Sequence, residues 1–210
     1  MKTARIKGLY AITPDMEDTT RLHALVESAL RGGASLVQYR NKAANAELRI
    51  EQAAGLLALC HEHGVPLIIN DHIELCRQID ADGVHLGLDD HQANSLADMK
   101  ATLGSKILGV SCYNRFELAQ QAAEAGVEYV AFGSCFDSGT KPAAVRASLD
   151  LFTRARAELG IPAVAIGGIT LTNAPNAIAA GADAIAVIGA LFSASDVTSI
   201  ARQFSELFDE

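Results

Sequence analysis

The stretch AIAAGADAIAVIG, residues Ala177–Gly189, decides the fold. An alanine-rich run suited to a helix reaches Gly181, and a short apolar strand follows almost at once. The same phrase recurs as ALRGGASLVQYR (29–40), CHEHGVPLIIN (60–70), IDADGVHLG (79–87), ATLGSKILGVS (101–111), AAEAGVEYVAFG (122–133) and AELGIPAVAIGG (157–168). Its glycines, Gly33, Gly64, Gly83, Gly104, Gly126, Gly160 and Gly181, stand where a helix should end, a position that favours left-handed backbone. The strands are continuous apolar runs rather than alternating ones, as parallel strands buried on both faces are.

With an opening strand over Gly8–Thr13, the phrase predicts eight parallel strands separated by helices. Eight βα units in roughly 200–250 residues are what a single (β/α)8 TIM barrel needs. A doubly wound open sheet has the same βαβα order, and the strand count favours the barrel. No Pro/Ser-rich linker interrupts the 210 residues, so one domain over 1–210 is expected. The longest irregular stretch, FDSGTKPAAVRAS from Phe136 to Ser148, reads as a βα loop long enough to form a lid.

A net charge of −8 argues against a nucleic-acid partner, while a local cationic site could still take a small anion. Cys60, Cys76, Cys112 and Cys135 form no CxxC pair, which argues against zinc and for reduced thiols in the cytoplasm. The first residues lack the apolar core of a signal peptide, and no run approaches the ~20 apolar residues of a membrane helix.

A barrel works at the C-terminal ends of its strands, so the residues that end each strand are the candidates. The second strand ends in Gln38, Arg40 and Lys42, two apart, which on an extended strand would face one side as an anion clamp. Ordinary solvated cations are the plain alternative. The third strand ends in Asn70 and Asp71, and the fourth leads to Asp89 and Asp90. Asp71 with Glu74 fits a helix-capping box. Asp71 and Asp90, on adjacent strands beside cations, also fit Mg²⁺, which prefers one or two carboxylates, phosphate oxygens and water. Either Asp89 or Asp90 satisfies that spacing. The fifth strand ends at Ser111, and the sixth leads to Thr140 and Lys141. Gly167-Gly168 after the seventh strand and Gly189-Ala190 after the eighth mark the loops where barrels often hold phosphate. His85, inside the fourth strand, reads as a hydrogen-bonded core histidine, and Tyr113 falls at the rim.

LYAITPD, QYRNK, LIINDHIEL, ADGVHLG followed by DD, GVSCYN, AFGSCF with TKP, and VAIGGIT occur in this order, and together they strongly resemble thiamine-phosphate synthase. The resemblance spans about Leu9 to Leu191 and implies a TIM barrel that joins hydroxymethylpyrimidine diphosphate to thiazole phosphate, releasing pyrophosphate. It implies that Gln38, Tyr39, Arg40, Asn41, Lys42, Asn70, Ser111 and Lys141 hold the pyrimidine diphosphate, with Arg40, Lys42, Ser111 and Lys141 catalytic. It further implies Asp71 and Asp90 as Mg²⁺ ligands, and Ser138, Gly139, Thr140, Gly168, Ile188 and Gly189 around thiazole phosphate. Leu88, Ser138-Gly139-Thr140 and Gly189 depart from the residues common in the family, and altered affinity rather than altered reaction is expected. A thiazole tautomerase-like isomerase and a non-catalytic phosphate-binding barrel are the rivals; the diphosphate residues argue against the first, and pyrophosphate release would exclude the second. The number of subunits stays open.

Overall fold

The structure is a computed structural model that describes residues 6–87, 95–137 and 146–209. Eight parallel strands close on themselves in chain order: β1 (Gly8–Ile12), β2 (Leu36–Tyr39), β3 (Leu67–Asn70), β4 (Gly83–Leu86), β5 (Ile107–Tyr113), β6 (Tyr129–Phe132), β7 (Ala163–Ile166) and β8 (Ala184–Val187). Tyr10 of β1 lies opposite Leu36 of β2 on one side and Ala186 of β8 on the other, which completes the ring. The helices are α1 (Thr19–Arg31), α2 (Ala46–Glu62), α3 (Ile73–Gln78), α4 (Leu96–Leu103), α5 (Phe116–Glu124), α6 (Asp150–Glu158), α7 (Ala174–Ala180), α8 (Gly189–Phe192) and α9 (Val197–Glu206). The (β/α)8 barrel expected from the phrase is the fold, and the open sheet is excluded by the β1–β8 pairing.

Strand alternation divides the buried residues into two cores. One parity, with Leu9, Val37, Ile69, Val84 and Ile185, packs outward on the helices. The other parity, with Tyr10, Leu36, Ile68, Tyr129 and Val164, fills the lumen. Both faces are therefore dry, which is why the strands read as unbroken apolar runs. The helices supply the outer half of the first core. Asp18 caps α1 by accepting from the Arg21 N–H at 2.9 Å, and Leu22, Val26, Ala29 and Leu30 give that helix one buried stripe. All four cysteines are free and buried, and burial pushes the Cys60 and Cys112 thiols up to about 12.

Six of the seven phrase glycines have a positive φ, from 60° at Gly104 to 116° at Gly181. Gly83 is the exception and corrects the sequence reading. It is the first residue of β4, and the left-handed turn before it falls to Asp80, at φ 57°. Gly83 is small for a different reason: a Cβ there would stand 2.3 Å from the Ile107 carbonyl oxygen. A second correction concerns β5, which runs past Ser111 to Tyr113 with an irregularity between them.

Gly109 tests how tightly the lumen is filled. A Cβ on it would stand 2.0 Å from Cζ of Tyr129, whose ring is fully buried, so Gly109→Ala should cost about 3 kcal/mol by overpacking. Gly64 has φ 67° with nothing within 4 Å of an added methyl, so Gly64→Ala should cost only the ~1 kcal/mol of left-handed strain. Urea unfolding of the two variants measures the difference. Equal losses would mean that the lumen relaxes around the extra methyl.

Candidate active site

Because the strands are parallel, their C-terminal ends share one rim. The chain leaves β1 through Thr13, which is fully buried and ties β1 to β2 twice. Its Oγ1 donates to the Arg40 carbonyl at 2.8 Å and accepts from the Arg40 N–H at 2.8 Å. Two residues on, Asp15 accepts from Arg40 Nη1 at 3.2 Å and from the Lys42 N–H at 2.7 Å. The end of β2 is thus clasped by the loop after β1. The Arg40–Asp15 pair is partly exposed, at 25% and 44%, so it holds Arg40 only weakly and an anionic ligand could compete for it.

A cavity opens beside this clasp, between the ends of β2 and β3. Tyr39, Asn41, Lys42, Arg49, Asn70, Asp71 and His72 line it. Asp71 sits in left-handed backbone, φ 62°, which short polar residues tolerate better than most. Its N–H donates to the His85 carbonyl at 2.9 Å, and its Oδ2 accepts from Asn70 Nδ2 at 2.6 Å. The cavity therefore joins two cationic side chains to a carboxylate braced by its neighbour.

Behind the cavity lies a buried polar brace centred on Gln52 of α2, which is fully buried. Its Oε1 accepts from the Tyr39 hydroxyl at 2.8 Å and from Asn41 Nδ2 at 3.0 Å, and its Nε2 donates to the Met16 carbonyl at 3.0 Å. Asn41 Nδ2 reaches the same carbonyl at 2.6 Å. Two buried polar atoms at the cavity, Asn41 Oδ1 and Arg49 Nε, have no hydrogen-bond partner among the described residues. Such atoms are costly inside a fold, and a polar ligand would satisfy them.

A second polar group crosses the lumen below the rim. Gln38 Nε2 donates to the Tyr10 hydroxyl at 2.8 Å, and the Tyr10 and Tyr129 hydroxyls meet at 2.8 Å. Tyr129 reaches His85 Nδ1 at 2.9 Å, and His85 Nε2 reaches Ser111 Oγ at 2.9 Å. Burial pushes the His85 pKa down to about 4 and raises that of Tyr129 well above the ordinary phenol value. His85 is the hydrogen-bonded core histidine expected from the sequence.

On the far side of the rim, Gly167 and Gly168 are left-handed, φ 95° and 65°. The Phe136 N–H donates to the Gly167 carbonyl at 3.0 Å, and a Cβ on Gly168 would stand 2.5 Å from the Asp137 carbonyl oxygen. The loop after β6 thus lies directly on these glycines. Ile188 precedes α8, and Gly189 opens it, exposed and with nothing within 4 Å of a would-be Cβ. Leu88, Asp89, Asp90, Ser138, Gly139, Thr140 and Lys141 lie outside the described residues, as does the middle of the loop 136–148.

Two sequence expectations need correction. Gln38, Arg40 and Lys42 do not face one way, because β2 ends at Tyr39 and the extended backbone stops there. Gln38 points into the lumen at 2% exposure, Arg40 turns to Asp15, and only Lys42 lines the cavity. Asp71 is not the N-cap residue of α3: that position is His72, which makes no side-chain cap, and Glu74 is exposed and pairs with Arg77 at 3.5 Å. Positive φ at Asp71 turns the chain sharply at that point. Sequence reading passed over Asp15, Arg49, Gln52, Tyr10 and Tyr129. The two tyrosines carried a signal, since each places a polar tip at a lumen-facing strand position. Arg49 and Gln52 carried none, because they reach the rim from a helix.

Fold and rim together define a barrel enzyme whose site lies at the C-terminal ends of its strands. A profile described as thiamine monophosphate synthase matches residues 9–191. A thiamine-phosphate synthase of Methylobacillus flagellatus is 56% identical over 205 residues, 97% of this chain and 96% of the relative. One of Aromatoleum aromaticum is 52% identical over 209 residues, the full length of both. A solved thiamine phosphate pyrophosphorylase of Pyrococcus furiosus superposes with a TM-score of 0.84 at 31% identity, over 99% of this chain and 97% of that one. The chain belongs to the thiamine monophosphate synthase family. Its activity is the transferase reaction of thiamine biosynthesis that yields thiamine phosphate.

The brace makes a prediction about the rim. Gln52→Leu would strip the Tyr39 hydroxyl of its acceptor and take one partner each from Asn41 Nδ2 and the Met16 carbonyl, which still hold each other, at a cost of about 3 kcal/mol. Urea unfolding should record that loss. Amide exchange should rise first in the loop carrying Asp15 and Met16. A variant as stable as wild type would mean that the brace is dispensable.

Proposed function

We propose that the chain condenses hydroxymethylpyrimidine diphosphate with thiazole phosphate, that the diphosphate occupies the cavity between the ends of β2 and β3, and that Mg²⁺ assists. The observation that carries this reading is the shared wall of Lys42, Arg49, Asn70 and Asp71. The donor set there suits magnesium. A single carboxylate beside cations suits an ion completed by a second carboxylate, phosphate oxygens and water. Asp71 and Asp90 would hold it. When bound, Mg²⁺ neutralises charge on the leaving diphosphate.

The side chains supply the rest. Lys42 and Arg40 take up the diphosphate charge, Arg40 by exchanging Asp15 for phosphate oxygens. Asn70 orients Asp71, and Ser111 and Lys141 complete the grip. As the diphosphate leaves, a pyrimidine-methyl cation develops, stabilised by its electron-rich ring, and the thiazole nitrogen captures it. No protein nucleophile is needed, and the buried thiols, held protonated by burial, offer none. Gly168, Ile188 and Gly189, with Ser138, Gly139 and Thr140, would hold thiazole phosphate. The enzyme contributes positioning, charge stabilisation and exclusion of water. The four free, buried thiols support a cytoplasmic setting. Among the described residues no helix is long and apolar enough to cross a membrane.

Incubation with both substrates, with and without Mg²⁺, tests the reading by following thiamine phosphate and pyrophosphate together. Asp71→Asn and Asp90→Asn should each lower turnover by about a thousandfold, the loss expected for removing a metal ligand at a charge-separating step, with unchanged melting. Near-wild-type, Mg²⁺-dependent turnover in both would remove them from the site. Arg40→Ala and Lys141→Ala should weaken diphosphate binding and spare thiazole phosphate. The opposite pattern would reverse the two subsites.

A further inference from the structure

The line of side chains across the lumen can be ordered proton by proton. Gln38 Nε2 can only donate, and it donates to the Tyr10 hydroxyl. The Tyr10 oxygen is buried, and among the described residues its other partner is Tyr129. Its single proton goes there, because among the described residues the Gln38 side offers it only a donor. The Tyr129 oxygen, having accepted, gives its own proton to His85 Nδ1. That nitrogen then carries no hydrogen, so the neutral ring holds its proton on Nε2, facing Ser111 Oγ. The reverse order would leave the Tyr10 proton buried without an acceptor, at the cost of an unmade hydrogen bond.

We infer that this line has one polarity, from Gln38 to Ser111, and that Tyr10, Tyr129 and His85 are positioning residues that make Ser111 a hydrogen-bond donor at the mouth. Ser111 receives the His85 Nε2–H on its oxygen, so its own proton is released toward the rim. An anionic oxygen of a bound phosphate ester would meet a donor there. The same serine beside the other histidine tautomer would donate inward and present only lone pairs, which repel an anion. The lumen is shaped for this line: the missing side chain at Gly109 leaves room for the Tyr129 ring, since a Cβ there would stand 2.4 Å from the hydroxyl oxygen. The His85 and Tyr129 rings stack at 5.5 Å with an interplanar angle of 20°, which holds the imidazole in the plane the line requires. The polarity rests on the Gln38 amide presenting its nitrogen to Tyr10, and its use in turnover rests on the reading that Ser111 faces the diphosphate.

Nitrogen-15 labelling of the six histidines in the full chain, at neutral pH and without substrates, reads the polarity directly. His85, assigned by its loss in His85→Gln, should be the neutral tautomer protonated at Nε2. A proton on Nδ1, or on both nitrogens, would overturn the inference. Tyr129→Phe keeps the ring and deletes the link, so His85 should become a mixture of tautomers, and melting should fall because the Tyr10 proton loses its acceptor. An unchanged tautomer in Tyr129→Phe would also overturn it. In turnover, Tyr129→Phe should lower kcat about tenfold with little change in KM, and should add no further loss in a Ser111→Ala background. Losses that add would mean that the tyrosine does not act through the serine. His85→Gln, whose amide can still donate to Ser111, should retain more turnover than His85→Leu, and equal losses would count against donation. Wild-type protein that forms no thiamine phosphate would overturn the functional reading instead, and the spectrum would still decide the polarity.

Discussion

A closed barrel of eight short strands has to fill its own lumen, and everything at the rim depends on how that is done. Parallel strands pack helices outside, so the inward parity has no partner except itself. Here aliphatic side chains such as Leu36, Ile68 and Val164 and the small Ala131, Ala184 and Ala186 share the space with two tyrosines and a histidine. A polar tip in a dry lumen is tolerable only if it is hydrogen-bonded. Tyr10, Tyr129 and His85 satisfy one another, and the line they form runs from the buried Gln38 to Ser111. Packing and the orientation of the mouth are therefore one problem with one solution.

The rim is held by a second set of contacts built outside the lumen. Thr13 locks the end of β2 to the end of β1, Asp15 clasps Arg40 and the Lys42 amide, and Gln52 ties α2 to the loop that carries them. Of Gln38, Arg40 and Lys42, this arrangement leaves only Lys42 at the cavity and keeps Arg40 in a weak pair that phosphate could displace. A negatively charged protein can thereby keep positive charge local to the place where an anionic ligand would lie. Asp71 stands at the edge of that charge, held by left-handed backbone and by Asn70.

Most of the fold was legible because its signal is local. A helix end that needs left-handed backbone selects glycine, and a strand buried on both faces selects Val, Ile, Leu and Ala, so the phrase repeats wherever the unit repeats. The one misplaced glycine, Gly83, shows the limit. Its smallness answers to the Ile107 carbonyl on the neighbouring strand, a contact between residues distant in sequence. The site was legible as positions more than as directions. Asn70, Asp71 and Gly168 stand at strand ends as their order implied, whereas Ser111 lies inside β5, which runs on to Tyr113. Gln38, Arg40 and Lys42 part company because alternation holds only while the strand lasts, and β2 stops at Tyr39. Asp71 looked like a helix cap because spacing to Glu74 carries no information about φ.

By itself the sequence determined the number of βα units, their parallel sense and which loops meet at one rim, since each follows from short-range backbone preference and from two-sided burial. Only the tertiary structure decided which side chains face the cavity, that Arg49 joins it from a helix, and that Tyr10, Tyr129, His85 and Ser111 form one line. Those outcomes depend on the register of strands far apart in the chain, and on a proton count that has meaning only once the lumen has closed around it.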